Sequence, residues 1–261
     1  MNFNKITVDV VDGVALLTLN DPTVMNAISM DVLEGLGDAF DHIEEKANGV
    51  RCVVVTGAGK GFCAGANLQG RGVSDKRGAG SVLESHYHPL LRRMRRLHCP
   101  IVTAVNGAAA GAGMSLALMG DLVIAGKSAY FLQAFRRIGL VPDAGSTYIL
   151  PRKIGVARSM ELSLLGERLP AEKALEWGLI NRVFDDGALL DEAKKIATEL
   201  ANGPTAALAM IRQLYWDSPE NTFEEQLDLE FRTQRMAGAT ADFKEGVTAF
   251  LEKRPAKFTG K

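Results

Sequence analysis

The segment "IVTAVNGAAAGAGMSLALMGDLVIAG", Ile101 to Gly126, decides the fold. Its stretch from Ile101 to Gly120 is about long enough to cross a bilayer as a helix, and Gly107 and Gly111 stand at small-xxx-small spacing. Gly107, Gly111, Gly113, Gly120 and Asn106 interrupt that run, however, and each glycine inside a helix costs about 1 kcal/mol against alanine. A buried strand, a tight turn, a short helix and a second strand from Asp121 account for the pattern better, so no membrane partner is expected.

The same alternation extends in both directions. "KITVDVVDGVALLTLN" is two apolar runs joined at Asp12-Gly13, which predicts an antiparallel hairpin. From Ser29, a good N-cap, the positions Val32, Leu33, Leu36, Ala39, Phe40 and Ile43 form one helical face, and the buried-strand run "VRCVVVTG" follows. Ser81 to Leu97 reads as a helix rich in arginine, closed by Pro100 before the next strand. Strands alternating with helices imply an α/β fold with a mostly parallel sheet. Past about Asp185 the strand signals stop and four amphipathic helical segments remain, in which Leu227, Phe231 and Met236 cover either core or a subunit contact.

Composition narrows the function. With 261 residues, 47% hydrophobic and 23% charged, the chain reads as an ordinary globular α/β protein. A formal charge of −1 gives no general attraction to nucleic acid or anionic lipid, so any anion site must be local. Cys52, Cys63 and Cys99 have no metal-ligand spacing, which implies no metal and a reducing, cytoplasmic setting. The start "MNFNKITVDVVDGV" lacks the basic and apolar blocks of a signal peptide. "QGRGVSDKRGAGS", Gln69 to Ser81, is rich in glycine and charge and is expected to form a mobile rim.

Two small-residue loops follow strands, "GAGKGFCAGANLQG" and "NGAAAGAGM". Phe62 occupies the place of the last glycine in a dinucleotide fingerprint, so a nucleotide-dependent dehydrogenase is disfavoured. Two loops at neighbouring strand ends either let elements pack closely or aim two backbone N–H donors at one oxygen. A lone carboxylate, Asp143, sits in "RRIGLVPDAGSTYILPR", where it either caps a helix starting near Ala144 or does chemistry.

In order and spacing, "LTLNDPTVMNAIS", "GKGFCAGANL", "AVNGAAAGAGMSLALMGDLVIA" and "GLVPDAGSTYILPR" resemble successive blocks of the crotonase (enoyl-CoA hydratase/isomerase) family, and the likeness runs through "LLGERLPAEKALEWGLINRV" to the end. The resemblance implies a crotonase-like spiral of ββα units over residues 1–190, holding the CoA and active sites. It also implies a helical region over 191–261 for assembly as a homotrimer or a dimer of trimers. The implied substrate is an acyl-CoA thioester, with coenzyme A part of it and no other cofactor. Carried over by position, the N–H groups of Ala66 and Ala112 hold the thioester oxygen, the Ala64 carbonyl meets the adenine, and Lys253 lies near the CoA phosphates.

Where the hydratases use two glutamates, this sequence has Ser115 and Phe135. Hydration by two carboxylates is therefore disfavoured. Moving a double bond from the 3,4 to the 2,3 position needs one base, and Asp143 coincides with the aspartate of the isomerases of bacterial phenylacetyl-CoA breakdown. Phe135, Leu140 and Val141 are expected to wall its pocket and raise its pKa, while Tyr87 and His88 suggest room for an aromatic-derived acyl group. His88 also aligns with a histidine of the aryl-CoA dehalogenases, although their tryptophan is replaced by Phe135. A hydratase or lyase, dehalogenase-like chemistry and a non-catalytic acyl-CoA-binding protein are the alternatives.

Overall fold

The computed structural model describes residues 1–68 and 80–261. Most of the glycine-rich stretch expected at the pocket rim, residues 69–79, lies outside the described residues. The chain opens with β1 (Asn2–Phe3), β2 (Ile6–Val11) and β3 (Val14–Leu19). Asp12 (φ 49°) and Gly13 (φ 78°) are both left-handed, as a two-residue hairpin turn requires, and they set the antiparallel register Val11↔Val14. Helix α1 (Met30–Glu44) starts where Ser29 accepts the Val32 N–H on its Oγ, and every residue of the predicted apolar face is buried.

From there the chain winds in a repeating step. A strand of a seven-stranded sheet is followed by a short strand of a four-stranded sheet and then a helix: β4 (Cys52–Gly57), β5 (Gly61–Cys63) and α2 (His88–Arg96); β6 (Ile101–Val105), β7 (Ala108–Ala110) and α3 (Ala112–Ala117); β8 (Leu122–Gly126), β9 (Tyr130–Leu132) and α4 (Ser146–Leu165). Strands β10 (Arg168–Pro170) and β11 (Arg182–Phe184), on either side of α5 (Ala171–Glu176), close the two sheets. The large sheet runs β1-β2-β3-β4-β6-β8-β11, parallel from β3 onward, and the small one β10-β9-β7-β5. This is the spiral of ββα units that the resemblance implied. Periodicity missed the small sheet, because runs of three residues carry too little pattern to read.

The continuous apolar run of β4 follows from burial on both faces. Val53 and Val55 pack into the main core with α1, whereas Cys52 and Val54 face α6 (Leu189–Ala201) through Leu189, Ala193 and Ile196. Helix α7 (Thr205–Asp217) is fastened by buried Arg212, which pairs with Asp121 (2.5 Å) and donates to the carbonyls of Leu97 and Met94. Helices α8 (Phe223–Gly238) and α9 (Ala241–Glu252) leave Phe231 and Met236 each 62% exposed, so that region does not cover the core of its own chain. Among the described residues no helix is long and apolar enough to cross a membrane.

Asn26 holds the first turn of the spiral. Fully buried and left-handed (φ 55°), it donates from Nδ2 to the carbonyls of Ala58 (3.0 Å), Gly61 (2.8 Å) and Phe62 (3.2 Å), and its Oδ1 accepts the Asp21 N–H (2.9 Å). Asn26→Ala removes the shared donor and is expected to lower the unfolding free energy by about 2–4 kcal/mol. Asn26→Asp, nearly isosteric, turns a carboxylate oxygen toward those carbonyls and is expected to cost more than alanine at pH 7. Urea denaturation of the two variants beside the parent checks that order.

Candidate active site

Two loops meet at the ends of the small-sheet strands. After β5, Ala64 donates its N–H to Met25, while the Gly65 carbonyl and the Asn67 N–H pair with Ile28 (2.7 and 2.9 Å). That parallel bridge uses the groups on either side of Ala66, and among the described residues the Ala66 N–H has no acceptor. After β7, Gly111 (φ 51°, ψ −127°) turns the chain into α3, whose first residue, Ala112, likewise has an N–H without an acceptor.

Two glycines bring these donors together. A Cβ on Gly65 (φ 95°) would sit 2.7 Å from the Ala110 carbonyl oxygen and 3.7 Å from the Ala112 nitrogen. One on Gly113 would sit 2.4 Å from the Cys63 carbonyl oxygen. Close packing at Gly65 thus sets the loop of Ala66 against the Ala112 nitrogen, and any side chain at either glycine would force the loops apart.

Asp143 stands on the third loop. The chain leaves β9 through buried Phe135, whose Cζ lies 3.8 Å from the Cβ position of Gly111, and then passes Leu140 and Val141. These last two are 42% and 77% exposed, which leaves Phe135 as the buried one of the three apolar residues expected around the carboxylate. Nor does Asp143 cap a helix: α4 starts at Ser146, its N-cap position is Gly145, and no side chain caps it. The residue's main chain is used instead, its carbonyl accepting from the Ser146 N–H (3.0 Å), the Ser146 Oγ (2.9 Å) and the Ser115 Oγ (3.1 Å). Its Oδ1 is buried with no hydrogen-bond partner. Burial pushes the carboxyl up to about 6, against a smaller downward pull from the charge of His88. Ala144 follows with φ 51°, a conformation rarely held by a residue with a Cβ unless its surroundings impose it.

A local irregularity sets Tyr87 and His88, of which His88 acts electrostatically on Asp143. Pro89 has no N–H to give the Ser85 carbonyl, and the turn before it widens into a π-helix over Leu83–Tyr87, in which the His88 N–H bonds the Leu83 carbonyl. Tyr87 is buried and His88 half-buried. The expected unbroken helix over Ser81 to Leu97 is therefore corrected by one π turn. Ala64 is half-buried and its carbonyl accepts no hydrogen bond among the described residues. Lys253 is exposed at the left-handed end of α9.

Sequence reasoning assigned no role to Asn26, Ser146 or Ala144. Only Asn26 offered a signal, since asparagine tolerates the left-handed turn that places it. A cavity of about 390 Å³ at the far end of α3, lined by Leu118, Tyr148, Lys153 and Trp216 among others, touches none of Ala66, Ala112 and Asp143. No cluster of metal-ligating side chains occurs among the described residues.

A family model described as enoyl-CoA hydratase/isomerase matches residues 9–261. The 1,2-epoxyphenylacetyl-CoA isomerase of Escherichia coli K12 is 48% identical over 252 residues, 95% of this chain and 96% of that protein. The trans-2-decenoyl-[acyl-carrier-protein] isomerase of Streptococcus mutans is 36% identical, with both chains covered in full. Among solved structures, the enoyl-CoA hydratase of Bacillus anthracis superimposes with a TM-score of 0.92 at 32% identity, over 98% of this chain and all of that one.

The raised pKa has a thermodynamic consequence. An unfolded aspartate titrates near 3.8 and the folded Asp143 at about 6. Between those values the folded chain holds a proton that the unfolded chain has released, so stability falls as pH rises through this window, and above it the full penalty remains. Asp143→Asn removes the ionised group. It is expected to stabilise the fold by about 1 kcal/mol at pH 8, after allowance for partial solvent screening, and to make no difference near pH 3.5. Urea unfolding at the two pH values checks this.

Proposed function

The chain belongs to the enoyl-CoA hydratase/isomerase family and is an enzyme of it, and on that premise we propose that it moves the double bond of a 3-enoyl-CoA to the conjugated 2,3 position, with Asp143 as the single base. The observation that carries this reading is the Asp143 carboxylate itself: buried at Oδ1, with no hydrogen bond to that oxygen among the described residues, raised to about 6 and therefore mostly ionised at neutral pH. A carboxylate engaged in holding the fold would have its oxygens occupied.

The steps follow from proton and charge bookkeeping. Asp143 removes a proton from the α-carbon of the acyl group, and the electron pair delocalises onto the thioester oxygen as a dienolate. The N–H groups of Ala66 and Ala112 stabilise that oxygen, each donor contributing about 2.7–4 kcal/mol. The carboxylic acid so formed returns the proton at the γ-carbon, which leaves the conjugated thioester and regenerates the base. No second carboxylate is needed, consistent with buried Ser115 and Phe135 where hydration would call for acids. Coenzyme A enters as part of the substrate, with the Ala64 carbonyl at the adenine and Lys253 toward the phosphates, and no separate cofactor takes part.

Buried Tyr87 and Phe135 beside half-buried His88 suit a ring-derived acyl group, as does 48% identity to an isomerase of 1,2-epoxyphenylacetyl-CoA. Exposed Phe223, Phe231 and Phe250 on α8 and α9 support assembly as a homotrimer or dimer of trimers through the region after residue 190. Three buried free thiols suit a reducing cytoplasm.

Incubation with a 3-enoyl-CoA in deuterated water is expected to give the 2-enoyl isomer carrying label at the α- or γ-carbon, with little 3-hydroxyacyl product. Asp143→Asn is expected to lower turnover by about 10²–10⁴-fold while acyl-CoA binding persists, and kcat/KM of the parent should fall as pH drops through about 6. Rapid formation of the 3-hydroxyacyl-CoA without isomerisation would replace this reading with a hydratase.

A further inference from the structure

We propose that Ser115 is a positioning residue for the proton transfer: its hydroxyl, given to the main-chain carbonyl of Asp143, locks the loop of the base to the helix that carries the Ala112 donor. The inference rests on the isomerase reading above and assigns a task to the position that holds a glutamate in the hydratases.

The direction of the hydroxyl is the first argument. A serine inside a helix usually returns its proton to the carbonyl four residues back. Here that carbonyl, Gly111, lies at 3.5 Å and already accepts the N–H groups of Met114 (3.0 Å) and Ser115 (3.2 Å). The Asp143 carbonyl is nearer, at 3.1 Å, and belongs to a different segment. Ser115 is fully buried.

The second argument concerns what the bond restrains. The Asp143 carbonyl lies in the peptide plane between Asp143 and Ala144, and rotation of that plane changes φ of Ala144. At 51° this torsion is unfavourable for alanine, so the segment will relax unless the plane is held. Ser146 supplies two of the three holding bonds from the first turn of α4, the helix into which the loop itself runs. Among the described residues, Ser115 is the one that ties the plane to α3, the helix that carries the Ala112 N–H. Relaxation would swing the Asp143 carboxylate relative to the Ala112 N–H, and a displacement of about 1 Å between reacting groups can cost about 100-fold in rate.

One carboxylate must collect a proton at one carbon and deliver it at another, two bonds away along the acyl chain. Such a shuttle depends on orientation more than a single transfer does. Loss of the tether should therefore disturb the partition between returning the proton to the α-carbon, which appears as solvent exchange in unchanged substrate, and delivering it to the γ-carbon, which appears as isomer.

The test compares Ser115→Ala, Ser146→Ala and Asp143→Asn in full-length protein with a 3-enoyl-CoA in deuterated water. S115A is expected to lose about 10–100-fold in kcat, to keep KM within about threefold, and to shift the ratio of α-exchange to isomer by about threefold or more. S146A should lose less, because the Ser146 N–H still holds the carbonyl. If S115A does not fold, Ser115→Cys keeps the volume with a weaker donor, and the same shift in ratio at a smaller loss of kcat is expected. S115A or S115C folded, with kcat and ratio within twofold of the parent, overturns the proposal, as does a fall in kcat with a rise in KM at an unchanged ratio. Parent-level turnover by D143N would instead remove Asp143 as the base, and the tether with it.

Discussion

The side-chain amide of Asn26 is the contact on which the rest of the site depends. Fold-level burial can place β4 and β6 side by side, but nothing in an apolar strand says where the chain should turn after it. By gathering the carbonyls of Ala58, Gly61 and Phe62 on one donor, Asn26 fixes the step from the large sheet to the small one. Strand β5 then meets β7, the bridge to Ile28 forms, and the Ala66 N–H is left without an acceptor among the described residues. A buried polar group that satisfies several backbone acceptors at once is costly to remove, and here its removal would also scatter the geometry of the chemistry.

At Asp143 the chain separates two tasks that one residue could have confused. Structural bonds go through the main-chain carbonyl and leave the buried Oδ1 without a hydrogen-bond partner among the described residues. Burial without a partner is destabilising, and that penalty raises proton affinity, which suits a base working near neutral pH. The strained Ala144 belongs to the same arrangement, since both features persist only because neighbouring elements impose them.

Much of this was legible in the sequence where side-chain pattern alone decides the structure. The apolar face of α1 was correct at every position named, and Asp12-Gly13 turned as its residues require. Features that arise between distant segments were not legible from pattern. The three-residue strands β5, β7 and β9 exist because neighbouring turns of the spiral stack, and the π turn before Pro89 is a local answer to a missing donor. Asp143 was recognisable as unusual, yet its alternative role as a cap could be dismissed only once Gly145 was seen at that position. Leu140 and Val141 look like pocket walls by composition, but the loop turns them outward.

The three cysteines occupy different depths of the architecture. Cys52 lies between the large sheet and α6, Cys99 lies in the main core, and Cys63 lies against Gly113 at the start of α3. Burial pushes the thiols of Cys52 and Cys63 up to about 12, and that of Cys99 upward as well, so none reacts as a thiolate while its own layer is closed. The molecule therefore carries a native set of kinetic reporters, in which alkylation at Cys63 times the opening of the donor loops and alkylation at Cys52 times the detachment of α6.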